Sequence, residues 1–307
     1  MSEKIVVCKG DCHGETFDIE AIVKTMARKG VSMDDLVIVI AGDFGVPWPG
    51  YPEDNADKLA RINHIGCDVV AVLGNHEWWS LVYSMPDGRF MGADVHECVY
   101  DGVRYDNIHY VADPTVMTID GKDYLLIPGA DSHDIADGIL YGLRPVGETE
   151  TIRSWWDENK DEVNEFEGRF KQREHRWPQY RVEGMSWWRE EAIQIDKLTS
   201  LLDEHGRSFH AVVSHDAPDR FAYEFQLHRS LWERHLPTDD ERKLDKIYES
   251  LSFRHWVHGH FHADMVSCED DRVTISYYIP HVLSDNFQLT ADDKFDMISS
   301  ESKSIGN

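Results

Sequence analysis

The sequence predicts an α/β fold organised around buried strands, and three observations carry that expectation. Five short β-rich apolar runs recur along the 307 residues, each ending in a polar turn. Segments with helical spacing of apolar residues fill the gaps between them. A composition of 41% hydrophobic and 29% charged residues is that of an ordinary globular protein, and a chain this long buries a large core without disulfides.

In chain order, Lys4–Lys9 runs into Gly10-Asp11-Cys12-His13-Gly14, and Leu36–Ala41 runs into Gly42-Asp43-Phe44-Gly45. Asp68–Leu73 runs into Gly74-Asn75-His76-Glu77, Phe209–Ser214 into His215-Asp216-Ala217-Pro218, and Phe253–Val257 into His258-Gly259-His260-Phe261-His262. Continuous apolar runs of this length are expected of strands covered on both faces. Ile19, Ile22, Val23 and Met26 recur at i, i+3, i+4 and i+7 with Gly30 as a stop, and Leu244, Ile247, Tyr248 and Leu251 repeat the pattern. Strands alternating with helices make an open α/β sheet, in which sites form beyond the carboxyl ends of the strands, where all five polar turns fall. Residues 141–187 are charged and aromatic and read as a largely helical insertion. Residues 1–289 are expected to form one domain, followed by a frayed polar tail at 290–307.

A net charge of −26 repels phosphate backbones, so long nucleic acids and anionic membranes are not expected partners. No apolar run reaches the ~20 residues that span a bilayer, and no export signal is evident. Five cysteines (Cys8, Cys12, Cys67, Cys98, Cys268) without a C-x-x-C pair argue against a disulfide framework or a thiolate zinc site. A reducing, cytoplasmic setting is the expectation.

The chemistry-bearing residues lie at the five strand ends: Asp11 and His13, Asp43, Asn75 and His76, His215, then His260 and His262. Residues two apart on an extended chain face one way, so Asp11 and His13 can grip one ion together. Imidazole nitrogens with carboxylate and amide oxygens suit divalent Mn, Fe, Zn or Ni, and Asp43 could bridge two such ions. A lone D-x-H or G-D is as often a turn or a cap, whereas five such motifs, each at a strand end, are not a packing pattern.

The order Asp11-x-His13, Gly42-Asp43, Gly74-Asn75-His76-Glu77, His215, Gly259-His260-x-His262 resembles the calcineurin-like metallophosphoesterase superfamily. The resemblance covers about Ile5–Tyr141 and Trp187–His281. With Ala130–Gly138 and Trp187-Trp188, it extends to a bacterial and phage branch whose substrates are unassigned. It implies a four-layer α/β/β/α sandwich with two divalent metal ions and a bridging hydroxide as nucleophile. By the same resemblance, Asp11, His13, Asp43 and His262 hold one ion, and Asp43, Asn75, His215 and His260 hold the other. Asn75 would also bind developing charge, and His76, not itself a ligand, would protonate the leaving group.

One position departs from the pattern. Where the superfamily commonly shows G-D-x-x-D, this chain has Gly42-Asp43-Phe44-Gly45-Val46, so the carboxylate that orients the G-N-H histidine in relatives is missing. Glu77, Asp131 or His133 are the candidates to replace it. The G-D-x-V-D-R-G pattern of Ser/Thr protein phosphatases is absent as well. Arg144 and Arg153 are candidate phosphate clamps. Cys12 and the pairs Trp78-Trp79, Trp155-Trp156 and Trp187-Trp188 are expected in the core rather than on a substrate.

The function expected is metal-dependent hydrolysis of a phosphate ester, on a small phosphorylated substrate or a phosphoprotein. The competing readings are a scaffold of the same fold that has lost catalysis and a mononuclear zinc hydrolase. The 141–187 insertion is expected to act as a lid or as an oligomer interface.

Overall fold

A computed structural model describes residues 3–170, 179–226, 237–294 and 297. The chain opens with β1 (Ile5–Lys9), α1 (Phe17–Arg28), β2 (Leu36–Ala41), α2 (Pro52–Ile65) and β3 (Asp68–Val72), followed by the single turn α3 (Trp79–Val82). A run of antiparallel strands comes next: β4 (Asp87–Phe90), β5 (Ala93–Tyr100), β6 (Val103–Val111), β7 (Thr115–Ile119) and β8 (Lys122–Ile127). After β9 (Ile139–Leu140), the insertion contributes α4 (Ile152–Gly168) and β10 (Arg181–Val182). The rest of the chain is α5 (Ile195–His205), β11 (Ser208–Ser214), α6 (Asp219–Gln226), α7 (Asp239–Tyr248), β12 (Ser252–His258), β13 (Met265–Val266), β14 (Val273–Ile275) and β15 (His281–Val282).

Two sheets stack between two layers of helices. The first has the order β15-β1-β2-β3-β6-β5-β4 and the second β13-β14-β12-β11-β8-β7. The period of two along each buried strand builds the layers. Val7, Ile38, Ile40, Val69 and Ala71 pack outward under Ile19, Ile22 and Met26 of α1 and Leu59 and Ile62 of α2. Their alternates Val6, Cys8, Val37, Val39, Val70 and Val72 pack inward against Met117, Leu126, Ala211, Val213 and Val257 of the second sheet. On that sheet's far face Leu125, Val212 and Trp256 meet Leu198 and Leu202 of α5, Phe221 of α6 and Leu244 of α7. This is the four-layer α/β/β/α sandwich, and the five expected strands all lie within it. Among the described residues no helix is long and apolar enough to cross a membrane.

The antiparallel run β4–β8 was not among the expected elements, although its turns carry a legible signal. Two-residue loops at Met91-Gly92, Asp101-Gly102 and Asp120-Gly121 join Phe90 to Ala93, Tyr100 to Val103 and Ile119 to Lys122. All six loop residues have positive φ, the condition for the tight hairpin turn whose twist matches that of the strands.

The insertion is less helical than its composition suggests. Its described residues hold one helix and β10, which pairs with β9 just before the insertion, around a small core of Val146, Trp155, Val163 and Val182; residues 171–178 lie outside the described part. Tail residues 295–296 and 298–307 also lie outside it. The start of the tail is docked rather than frayed: Asp293 accepts from the Thr290 amide at 2.7 Å and pairs with Lys29 at 2.7 Å, and Met297 is buried.

The loop after β8 is tied to the segment before α5 by a buried acid. Ser132 Oγ donates to Glu191 Oε1 at 2.6 Å, while Glu191 Oε2 is buried without a partner. Burial pushes the Glu191 carboxyl up to about 8, against the pull of Ser132 and Arg181. The folded state therefore holds this proton after an unfolded chain has lost it at about 4.3, so the contribution to stability falls as pH rises towards 8. Glu191→Gln should flatten that fall. Denaturant midpoints of the two proteins at pH 5 and pH 8 check this: the variant should gain on the parent at the higher pH, and a constant difference would contradict it.

Candidate metal centre

The carboxyl ends of β1, β2 and β3 in the first sheet and of β11 and β12 in the second converge on one point. Each strand runs parallel to its neighbour in the sheet, so the five turns leave the same edge of the sandwich. Backbone bonds then knit the turns together: the Asp11 amide donates to Gly42 O, His13 to Asp43 O and Gly259 to His215 O.

The approach is so close that glycine is required. A Cβ on Gly259 would lie 2.4 Å from Asp11 Oδ2, and one on Gly42, whose φ is +83°, would lie 2.0 Å from His215 Nδ1. The turns are also strained. Of eight non-glycine residues with positive φ among those described, five are Asp11, His13, Asp43, His260 and His262. A side chain in the left-handed region costs about 1–2 kcal/mol, and such strain concentrates at functional sites.

The side chains form two adjoining groups. In the first, His13 Nε2 and His262 Nε2 are 2.9 Å apart, and Asp11 Oδ1 is 3.4 Å from His262 Nε2. The candidate ligand atoms of Asp11, His13, Asp43 and His262 all lie within 4.8 Å of one another. In the second, His215 Nε2 is 3.1 Å from both Asn75 Oδ1 and Asp43 Oδ1. His215 Nδ1 donates to Ala41 O at 2.9 Å, which turns Nε2 inward. His260 Nε2 is buried with no hydrogen-bond partner. Asp43 faces both groups, with Oδ2 3.8 Å from His13 and Oδ1 beside His215.

This donor set fits divalent cations. Buried carboxylates face imidazole nitrogens across gaps that a hydrogen bond fills only in part, and His260, which lines the same cavity, carries an orphaned buried nitrogen. Burial keeps His13 and His260 neutral, the ligating form. Burial also opposes a charge on His215, yet Asp43 beside it pushes its pKa up to about 10, so without a cation a proton offsets the carboxylate.

The remaining expected residues take other places. His76 donates its backbone N–H to Asp43 Oδ1 at 2.8 Å. Its Nε2 lies 2.7 Å from Nη2 of Arg181. A guanidinium only donates, so this nitrogen accepts and the imidazole is neutral. Burial lowers the His76 pKa to about 4; Asp43 pulls the other way and Arg181 adds to the lowering. Glu77 does not orient that ring: it is buried and clamps two of the turns, accepting from the amides of Gly45 at 3.2 Å and Gly74 at 2.5 Å. His133 stacks on His260 at 4.1 Å between ring centroids. Val46 lies in the core beside Phe44.

Arg144 corrects an expectation. Its exposed guanidinium is taken by Glu150 and Glu158 within the insertion, and it lines neither cavity at the centre. Cys12, Trp78, Trp79, Trp155 and Trp188 are buried as core, whereas Trp156 is exposed. Sequence reasoning missed Arg181, whose neighbours in the chain carry no motif, and Trp48, whose ring lies 5.9 Å from that of His76.

Two cavities open at the centre. One of about 140 Å³ is lined by Asp43, Asn75, His76, His260, His262 and Arg181, among others. The other, about 290 Å³, runs from His13 and His76 past Trp48 and Tyr51 to Lys58. A separate group of His210, His255 and Asp285 is already satisfied, because Asp285 pairs with Lys122 and Arg254, and His210 Nε2 bonds Leu283 O.

No curated protein matches the chain. Among solved structures, TT1561 of Thermus thermophilus aligns over 89% of each chain, at 11% identity and a TM-score of 0.38. The profile of the calcineurin-like phosphoesterases matches residues 4–264. With that profile spanning most of the chain, including all five strand-end turns, the protein belongs to the calcineurin-like phosphoesterase family.

Proposed function

We propose that the chain hydrolyses small phosphate esters at a centre of two divalent ions. Asp11, His13, Asp43 and His262 hold one, and Asp43, Asn75, His215 and His260 hold the other. The observation that carries this reading is the division of one buried carboxylate between two donor groups, Oδ2 toward His13 and Oδ1 toward His215. Bound ions supply Lewis-acid polarisation of the phosphoryl group and an acidified water near neutral pH. Mn, Fe, Zn or Ni suits the nitrogen and oxygen donors.

The chain's own residues supply the rest. The 140 Å³ cavity between the candidate ligands and Arg181 is where the phosphoryl group sits. The 290 Å³ cleft past Trp48 and Tyr51 takes the alcohol portion; it falls near the lower end of ligand pockets, about 300–1,000 Å³, and so favours a small molecule over a phosphoprotein. A charge of −26 disfavours long polynucleotides. A scaffold without catalysis is disfavoured because every motif ligand position is filled.

The general-acid part expected of His76 is set aside. Its Nε2 accepts from Arg181, and a neutral imidazole accepting at that nitrogen has no proton there to donate.

Three outcomes follow. Mn-loaded protein should hydrolyse members of a panel of small phosphate mono- and diesters and lose that activity on chelation; inactivity across the panel at full metal content would overturn the reading. Asp43→Asn should lower the occupancy of both ions, whereas His13→Ala should empty mainly one. Two full equivalents of metal in Asp43→Asn, by elemental analysis, would remove the bridge. His76→Ala should lose about 10- to 100-fold in kcat/KM to the same extent on a p-nitrophenyl and an alkyl ester, as expected for a lost hydrogen bond to a charged group. A loss at least tenfold larger on the alkyl ester would restore the general-acid role.

A further inference from the structure

Among its described residues, the insertion reaches the centre through Arg181. Arg181, on β10, is only 3% exposed and lines the smaller cavity together with Asp43, Asn75, His260 and His262. Its guanidinium is held on three sides. Nε donates to Asp134 Oδ1 at 2.6 Å, and Nη1 donates to Asn75 O at 2.7 Å and to Ser186 O at 3.1 Å. Nη2 carries two N–H groups. One points at His76 Nε2 at 2.7 Å, and the other has no acceptor among the described residues.

A buried, permanently charged fork anchored by a carboxylate and two carbonyls is a poor stability device, since its desolvation is repaid only in part. It is a good anion site. The free N–H lies on Nη2, and an anionic phosphoryl oxygen is a strong acceptor for a guanidinium N–H. Asp134 is half-exposed, lines the same cavity and fixes the fork through Nε.

We infer that Arg181 is a phosphoryl-binding residue of this enzyme: while one Nη2 N–H stays on His76, the second N–H of that nitrogen binds a phosphoryl oxygen of the substrate. The insertion thereby takes part in the site, with Asp134 as the residue that positions the fork. This rests on the phosphoesterase reading above. It adds that part of the affinity for the phosphoryl group comes from the chain itself, independent of the metal ligands.

The test compares parent, Arg181→Gln, Arg181→Lys and Asp134→Asn, each Mn-loaded and with metal content measured. The readouts are the Kd for inorganic phosphate by calorimetry, and KM and kcat on the best ester of the panel. Arg181→Gln should bind phosphate about 10- to 100-fold more weakly and raise KM correspondingly, at parental metal content. Arg181→Lys should recover part of that loss, because it keeps the charge but not the fork. Parental Kd and KM in Arg181→Gln would overturn the inference, as would a fall confined to kcat, which would leave Arg181 as a support for His76 alone. If Arg181→Gln does not fold, Asp134→Asn decides: weaker phosphate binding supports the inference and unchanged binding overturns it. A parent protein that hydrolyses esters while Arg181→Gln binds phosphate normally removes only this inference. A metal-loaded parent that neither binds phosphate nor hydrolyses any ester removes the functional reading with it.

Discussion

The arrangement at the sheet edge depends on the placement of Asp43. This carboxylate is buried at the end of β2, within reach of imidazoles from both sheets, and its interaction with His215 holds its pKa well below the usual range against the opposing effect of burial. Burying a charge of this kind is expensive unless positive charge and hydrogen bonds surround it. The His76 amide and the His215 imidazole provide some of that compensation. In the absence of a cation, a proton on His215, whose pKa this carboxylate raises to about 10, adds to it. A divalent ion on each side would do the same more completely, and this need explains why five neighbouring residues tolerate left-handed backbone and why glycines sit where any side chain would collide.

The four-layer architecture makes that placement possible. Continuous apolar strands such as β2, buried at every residue, can sit only between a helix layer and a second sheet. Stacking two such sheets with their parallel strands directed to one edge brings turns distant in sequence, such as those at Asp11 and His262, within hydrogen-bond distance of each other. His260 donates its amide to Asp11 across the two sheets at 3.0 Å. The sandwich thus couples packing to chemistry: strand register decides which carboxylate meets which imidazole.

Much of this was legible in the sequence, and the reasons are local. Strand and helix periods identified β1, β2, β3, β11, β12, α1 and α7, and the polar turns at the strand ends marked the residues that the fold gathers at one point. The Asp-Gly pairs at 101–102 and 120–121 could have revealed two of the three hairpins in the antiparallel run, whereas Met91-Gly92 offers a weaker signal. Arg181 was not legible, because its role comes from a two-residue strand that folds back across the turn at Asn75. Arg144 was misread for the converse reason. An arginine in an acidic chain suggests an anion site, but Glu150 and Glu158 of its own insertion claim it. The orientation of His76 was open in sequence because the candidates there were Glu77, Asp131 and His133, and the partner on its ring is an arginine from the insertion.

The most direct test of the central claim is an anomalous difference map from crystals of the Mn-loaded protein, recorded at the metal edge. Two peaks of comparable height, one between Asp43 and His13 and the other between Asp43 and His215, are the predicted result. A single peak at full metal loading, or two peaks with Asp43 contacting only one of them, would contradict the account.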